Sequence, residues 1–165
     1  MIQDIRTKNI SKFLEIKCFK MRPKIILGNR IFDNRGSVRF NNKLLFKNIK
    51  RFYTVHNYNN NFIRAWHGHF NEEKFIGCIK GTFQISAVKI DNKDNPSKKN
   101  KIYSFILNCS DSGFVHIPKG FANGSMSLEE NSELLIFSTS TLKESLKDDI
   151  RYDPKYWDPW VVKQR

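Results

Sequence analysis

Apolar positions along this chain fall in short runs rich in β-branched and aromatic residues, each bounded by turn-forming residues. The clearest run is Lys74 to Ile90. It has no helical apolar period and reads as two β runs broken by a turn at Lys80-Gly81. Ile25 to Phe32 is a strand running into the turn Asp33-Asn-Arg-Gly36, and Arg51 to Tyr58 is the next, ahead of the polar loop Asn57 to Asn61. Tyr103 to Leu107, Gly113 to Ile117, Ala122 to Leu128 and Glu133 to Thr139 continue the series at the spacing of an all-β sandwich or barrel. The first 20 residues alternate weakly around Phe13, Ile16 and Phe19, which predicts one or two edge strands. Asp91 to Lys101, with Pro96 and Ser97, is a surface loop, and Thr141 to Lys147 forms a helical turn or two. The aromatic tail from Asp149 to Arg165 is expected as irregular chain, packed on the barrel or on a second subunit. The series shows no repeat, low-complexity tract or second domain, so residues 1–165 are expected to form a single domain.

Composition narrows the partners. The 165 residues include 14 Phe, and aromatics make up 13%, too many for a disordered chain. The formal charge is +13, but apart from Lys47 to Arg51 and Lys98 to Lys101 the basic residues are scattered. That distribution suits a Lys- and Asn-rich surface better than a nucleic-acid face, so no nucleic acid is expected as partner. There is no run long enough for a membrane span, and Met-Ile-Gln-Asp-Ile-Arg lacks a signal-peptide core. Cys18, Cys78 and Cys109 are odd in number and not spaced for a metal, which fits a reducing compartment. A cytoplasmic location without membrane partners follows as the expectation.

The candidate chemistry lies in Arg64-Ala-Trp-His-Gly-His69. On a strand, histidines at i and i+2 point to the same face, so His67 and His69 are expected to converge. Lys74 and Gly81 follow, and a second segment, Gly113 to Gly124, ends in a turn built on Pro118 and Gly120. Together these segments resemble the two signature segments of the cupin family, which implies a jelly-roll β-barrel with short helical turns near the C-terminus. The spacing of that family is kept, but its metal-binding glutamate position is Lys74 and its last histidine position is Asn123. An ammonium repels a divalent ion, and an amide is a poor ligand beside imidazole, so the site is expected to hold no metal, and no cofactor is expected. His56, His116 and Cys78 are read as structural.

A narrower resemblance rests on Asp33-Asn-Arg-Gly36, Arg64-x-x-His67, Lys74, Ile117-Pro-x-Gly-Phe-Ala122 and Ile150-Arg-Tyr-Asp-Pro154. In order and spacing these are similar to the dTDP-4-dehydrorhamnose 3,5-epimerase family. The chain also looks like the related dTDP-4-keto-6-deoxyhexose 3,4-ketoisomerases, whose Arg-Gly-x-His-x-His motif is matched except at Ala65, and whose aromatic strand is matched by Phe52-Tyr53. The resemblance implies an isomerase of deoxysugar biosynthesis, for lipopolysaccharide or another surface polysaccharide, working on a nucleotide-diphosphate sugar. A homodimer is expected because a small jelly roll must hide its edge strands and the N-terminal strands are candidates for pairing across a two-fold. The resemblance makes His67 the base that removes a proton beside the C4 ketone, with His69 beside it, and Lys74 the cation that steadies the enolate oxygen. Arg35 and Arg64 would face the diphosphate or sugar, and Tyr53, Asn57 and Asn123 would complete the substrate site. Such chemistry needs a base with a pKa near ambient pH and a fixed donor where negative charge develops. The family's reprotonating tyrosine falls at Ile136, so the acid is left among His69, Tyr53, Tyr58 and Tyr103. The carboxylate that orients the base in the family has only Asp153 or Asp158 as substitutes here. The reading is an epimerase acting at C3, with C5 open as a second position. The alternatives are a 3,4-ketoisomerase and an inactive cupin that holds a sugar nucleotide.

Overall fold

The computed structural model describes residues 21–160. Twelve strands and one short helix follow in order: β1 (Lys24–Ile26), β2 (Asn29–Asp33), β3 (Gly36–Phe40), β4 (Arg51–Asn57), β5 (Ile63–His69), β6 (Lys74–Lys80), β7 (Thr82–Lys89), β8 (Ile102–Asn108), β9 (Phe114–Ile117), β10 (Phe121–Ser127), β11 (Ser132–Ser138), α1 (Leu142–Lys147) and β12 (Ile150–Arg151). One five-stranded sheet runs β1-β9-β6-β11-β4, the other β12-β5-β10-β7-β8, and β2-β3 form a separate hairpin. The pairings are antiparallel.

Alternation explains how the sheets close on each other. Phe83, Ile85 and Ala87 of β7 share one buried cluster with Ile76 and Cys78 of β6, Leu107 of β8, Val115 and Ile117 of β9, and Leu134 and Ile136 of β11. Both sheets contribute, so the cluster is the filling of a two-sheet barrel. Residues of the opposite phase, Val88 on β7 and Ala122 and Met126 on β10, join Trp66, Trp157 and Trp160 in a second cluster on the outer face of the β5-containing sheet. The tail therefore packs on the barrel of its own chain: Trp66 Nε1 donates to the carbonyl of Trp157, and Trp157 Nε1 donates to that of Ser97.

Local chemistry sets the breaks. Gly81, with φ of +71°, lets β6 turn into β7, and a Cβ there would lie 2.1 Å from Ser132 Oγ. The expected single strand from Ile25 to Phe32 is divided at Gly28, where a Cβ would lie 2.3 Å from the Phe40 carbonyl oxygen and 2.4 Å from that of Ser112. This close crossing ends the pairing of β1 with β9 and starts the β2–β3 hairpin, whose second strand the alternation had not indicated. At α1, Thr141 and Glu144 form a reciprocal capping box, and β12 then pairs with β5 where only irregular chain was expected. The expected strands in the first 20 residues lie outside the described residues. No helix among the described residues is long and apolar enough to cross a membrane.

Candidate active site

β5 pairs with β10, Phe121 opposite His69 and Asn123 opposite His67, but Ser125 is opposite Arg64. Two steps on β10 thus face three on β5, and the bulge resets the phase of the strand. Strict alternation would turn Arg64 away from His67. The extra step returns it to the same face, and the two line one cavity of about 150 Å³. Tyr53 of β4, Lys74 of β6, and Asn123 and Ser125 of β10 supply its other polar walls. Its apolar lining is Val55, Ile76, Leu134 and Ile136.

Arg64 is held from behind. Its Nε donates to Asn57 Oδ1 at 2.7 Å, and buried Asn57 in turn donates to the Phe62 carbonyl and to Ser127 Oγ, each at 3.2 Å. Asn57 itself does not line the cavity; it aims the guanidinium that does. Asn123 Nδ2 donates to the His67 carbonyl at 2.8 Å, tying β10 to β5 beside the cavity.

Arg151 Nη1 lies 2.9 Å from His67 Nε2. A guanidinium donates and does not accept, so Nε2 is the acceptor and the ring is neutral, with its proton on Nδ1. Burial, and then the Arg151 and Lys74 charges, push His67 down to about 4. Asp149 opposes them, and it also holds Arg151 Nε at 2.7 and 2.9 Å. The group that orients His67 is thus a carboxylate acting through an arginine. Asp153 instead caps a turn by accepting from the Lys155 amide at 2.7 Å, and Asp158 is exposed.

Lys74 is buried, which lowers its pKa, while the charge of Glu72 opposes that change. Its Nζ is 4.0 Å from Glu72 Oε1. His69 is 4% exposed and sits beside Glu72, with Nδ1 3.5 Å from Oε2. It does not line the cavity. Burial lowers its pKa, as does Lys74.

Ile136 lines the wall where the resemblance expects a tyrosine. The residue paired directly opposite it on β4 is Tyr53, so a phenol reaches the same cavity from the neighbouring strand. Burial and the Glu72 charge push Tyr53 up to about 12, which keeps it protonated at neutral pH. Tyr58 is exposed beside His56, and Tyr103 packs edge-on against Phe121; neither lines the cavity. Arg35, at the tip of the β2–β3 hairpin, is exposed and donates to Asp33 at 2.6 Å, outside the cavity.

Three residues escaped the sequence reading. Arg151 lies inside the segment Ile150 to Pro154 that carried the resemblance, but nothing in the segment marks it as a partner of His67. Ser125 comes into the cavity only through the bulge. Glu72 is one of two consecutive glutamates: Glu72 points inward, while Glu73 binds His116 Nε2 at 2.8 Å. A divalent metal does not fit the donor set. His67 Nε2 already accepts from a cation, Lys74 adds a second, and no three His, Cys, Asp or Glu side chains gather among the described residues.

A family model described as FdtA: WxcM-like, C-terminal matches residues 21–157. No curated protein matches the chain. Among solved structures, dTDP-4-dehydrorhamnose 3,5-epimerase from Bacillus anthracis with TDP and pyrophosphate bound superposes with a TM-score of 0.69 at 21% identity, covering 86% of each chain. The WlaRB TDP-quinovose 3,4-ketoisomerase of Campylobacter jejuni gives 0.62 at 25% identity over 82% of this chain and 96% of that one. A 3,4-ketoisomerase from Helicobacter canadensis gives 0.64 at 23% identity over 82% and 95%.

Proposed function

The chain belongs to the WxcM-like, C-terminal family, and from that premise we propose that it is an isomerase of nucleotide-linked 4-keto-6-deoxysugars, an epimerase acting at C3. The observation that carries this reading is a neutral His67 and a buried Lys74 sharing one cavity. A base and a cation so placed are what enolisation beside a ketone requires.

The substrate's diphosphate takes over the Arg151 donor and frees Nε2 of His67. Losing that contact also removes one of the charges that hold the His67 pKa down, so its proton affinity rises as the substrate binds. Nε2 then removes the C3 proton, and the electron pair moves onto the C4 oxygen, which Lys74 steadies as an enolate. Return of a proton to C3 from the other side completes the epimerisation. Tyr53, protonated and facing the same cavity, is the donor. Arg64, fixed by Asn57, binds the diphosphate or the sugar.

A 3,4-ketoisomerase is the second reading, and the His67/His69 pair was its best support. His69 stands outside the cavity beside Glu72, which favours the epimerase. C5 stays open as a further position of exchange.

We place the enzyme in the cytoplasm, in surface-polysaccharide synthesis, as a homodimer. Ile31 and Val38, paired across the β2–β3 hairpin, are exposed on one face, an apolar pair that a second copy would cover, and the same contact would bring Arg35 towards a partner's substrate.

The test is incubation with dTDP-4-keto-6-deoxyglucose in deuterated water, followed by NMR. Deuterium at C3 with the ketone still at C4 supports the epimerase, and a ketone moved to C3 supports the isomerase. TDP binding without exchange of any sugar proton would leave only a holder of sugar nucleotides.

A further inference from the structure

Glu72 is 2% exposed, and its side chain meets four groups, one each from β4, β5, β6 and β11. Oε1 accepts from Ser138 Oγ at 2.8 Å and stands 3.5 Å from Arg51 Nη2 and 4.0 Å from Lys74 Nζ. Oε2 stands 3.5 Å from His69 Nδ1, and neither of those two atoms has a hydrogen-bond partner. A carboxylate buried this deeply is costly unless its charge is used, and replacing such a group by an apolar side chain is often neutral or stabilising. Arg51 and Ser138 already supply contacts on one oxygen. The second oxygen stays unbonded, aimed at a histidine ring behind the catalytic wall.

We propose that Glu72 is a positioning residue of the isomerase: its carboxylate keeps the Lys74 ammonium charged and aimed at the cavity, and steers the His69 ring through Nδ1. The assignment rests on the enolisation reading given above. Glu72 does not line the cavity, so it acts through Lys74 and does not touch substrate. The balance around Lys74 is close. Arg51, Arg151, His67 and His69 stand around it as cations or potential cations, and Glu72 and Asp149 supply the negative charge, with Tyr53 neutral in the same cavity. Of the two carboxylates Glu72 exerts the larger influence on Lys74. A developing enolate needs a full positive charge at Lys74, and burial works against that charge. Burial, and after it the same carboxylate, also push the Tyr53 phenol away from ionising. One buried charge therefore acts on both groups given roles in the reaction.

Glu72→Gln tests this, because the amide oxygen still accepts from Ser138 while the charge is lost. The expected result is a fall in kcat of about tenfold or more with KM little changed, as befits a group that acts in the transition state. The alkaline limb of the kcat profile moves to lower pH by about one unit as Lys74 loses its counter-charge. Glu72→Asp restores the position of that limb. A readout that needs no substrate runs beside it: the titration of Lys74 Nζ in ¹⁵N-lysine protein and of the four histidine rings. In Glu72→Gln, Lys74 and His69 both release their protons at lower pH. Unshifted titrations, or a kcat loss that follows a lowered Tm without movement of the alkaline limb, overturn the proposal. If the wild type exchanges no sugar proton, the isomerase reading fails, and the Lys74 and His69 titrations still decide the role of Glu72.

Discussion

The barrel interior is filled in two ways. Around β7 and β8 the inward positions are Phe83, Ile85, Ala87 and Leu107, all fully buried and all apolar. Around β4, β5 and β6 the inward positions include Tyr53, Arg64, His67 and Lys74, with Glu72 close behind. Alternation produces both halves, with one bulge in β5 that brings Arg64 inward, so the main difference lies in the residues placed at the inward positions. The apolar half gains free energy by leaving water. The polar half has to find partners, and three of its cavity residues have them: Asn57 for Arg64, Arg151 for His67, and the charge of Glu72 for Lys74. Apolar burial is concentrated in one half of the barrel, and the buried polar groups of the proposed site lie in the other.

Paired substitutions break this contrast most directly. His67→Asn should lower kcat by about 10²–10⁴-fold, the usual contribution of a general base, with Tm little changed. Phe83→Ala should cost about 3–5 kcal/mol of stability through lost burial and a cavity, while the molecules still folded keep their kcat. Activity assays and thermal melts on the two variants check this. If Phe83→Ala lowered kcat in step with stability, or His67→Asn melted early, the division would fail.

A smaller effect is expected where the outer aromatic cluster meets the strand that carries Arg64. A Cβ at Gly124 would lie 2.5 Å from the Ala65 Cβ and 3.0 Å from the Trp160 ring, against the outer aromatic cluster. Gly124→Ala should cost about 1–3 kcal/mol by overpacking. It should also raise KM, because Ala65 sits in the bulge that turns Arg64 into the cavity. Melting curves and steady-state kinetics on one preparation check both effects.

The alternation made the barrel legible, since strands from Arg51 to Thr139 follow from runs of apolar residues and the glycines between them. His67, Lys74 and Arg64 were legible through spacing and resemblance. Arg151 and Glu72 were not, for a physical reason. Their roles come from pairing across the fold: β12 against β5 in one case, and a loop carboxylate folded under β6 in the other. Tyr53 was visible as an aromatic strand residue, but only the register of β4 on β11 shows that it faces Ile136.

The pH response sharpens the polar half further. His67 is held at about 4, below its ordinary 6.5, by burial and then by Arg151. The unfolded chain takes up the proton first as pH falls, so the fold loses stability between 6.5 and about 4, and His67 causes no further loss below that. Arg151→Met removes the second of these causes and should raise the His67 pKa by about one unit. Stability and activity then move in opposite directions near pH 5. The fold retains more of its stability, and kcat/KM falls because the base is protonated sooner. NMR titration of the His67 ring with melts across the range would read both. An unmoved His67 would show that burial alone sets its pKa.

The smallest expected effect is none at all. Metal-dependent cupins place four ligands where this chain has His67, His69, Lys74 and Asn123. Here His67 Nε2 accepts from Arg151, His69 Nδ1 faces Glu72, and Asn123 Nδ2 is spent on the His67 carbonyl. Binding an ion would require breaking the Arg151 contact and bringing the metal up to the Lys74 ammonium, two repulsive steps in a buried site. In the proposed reaction Lys74 would supply the positive charge that an ion would otherwise bring to an enolate. Treatment with a strong chelator followed by desalting should therefore leave kcat and Tm unchanged, and added zinc or manganese should not raise either. A loss of activity on chelation that metal restores would mean that the polar half is organised around an ion, and the roles given to Lys74 and Arg151 would fall together.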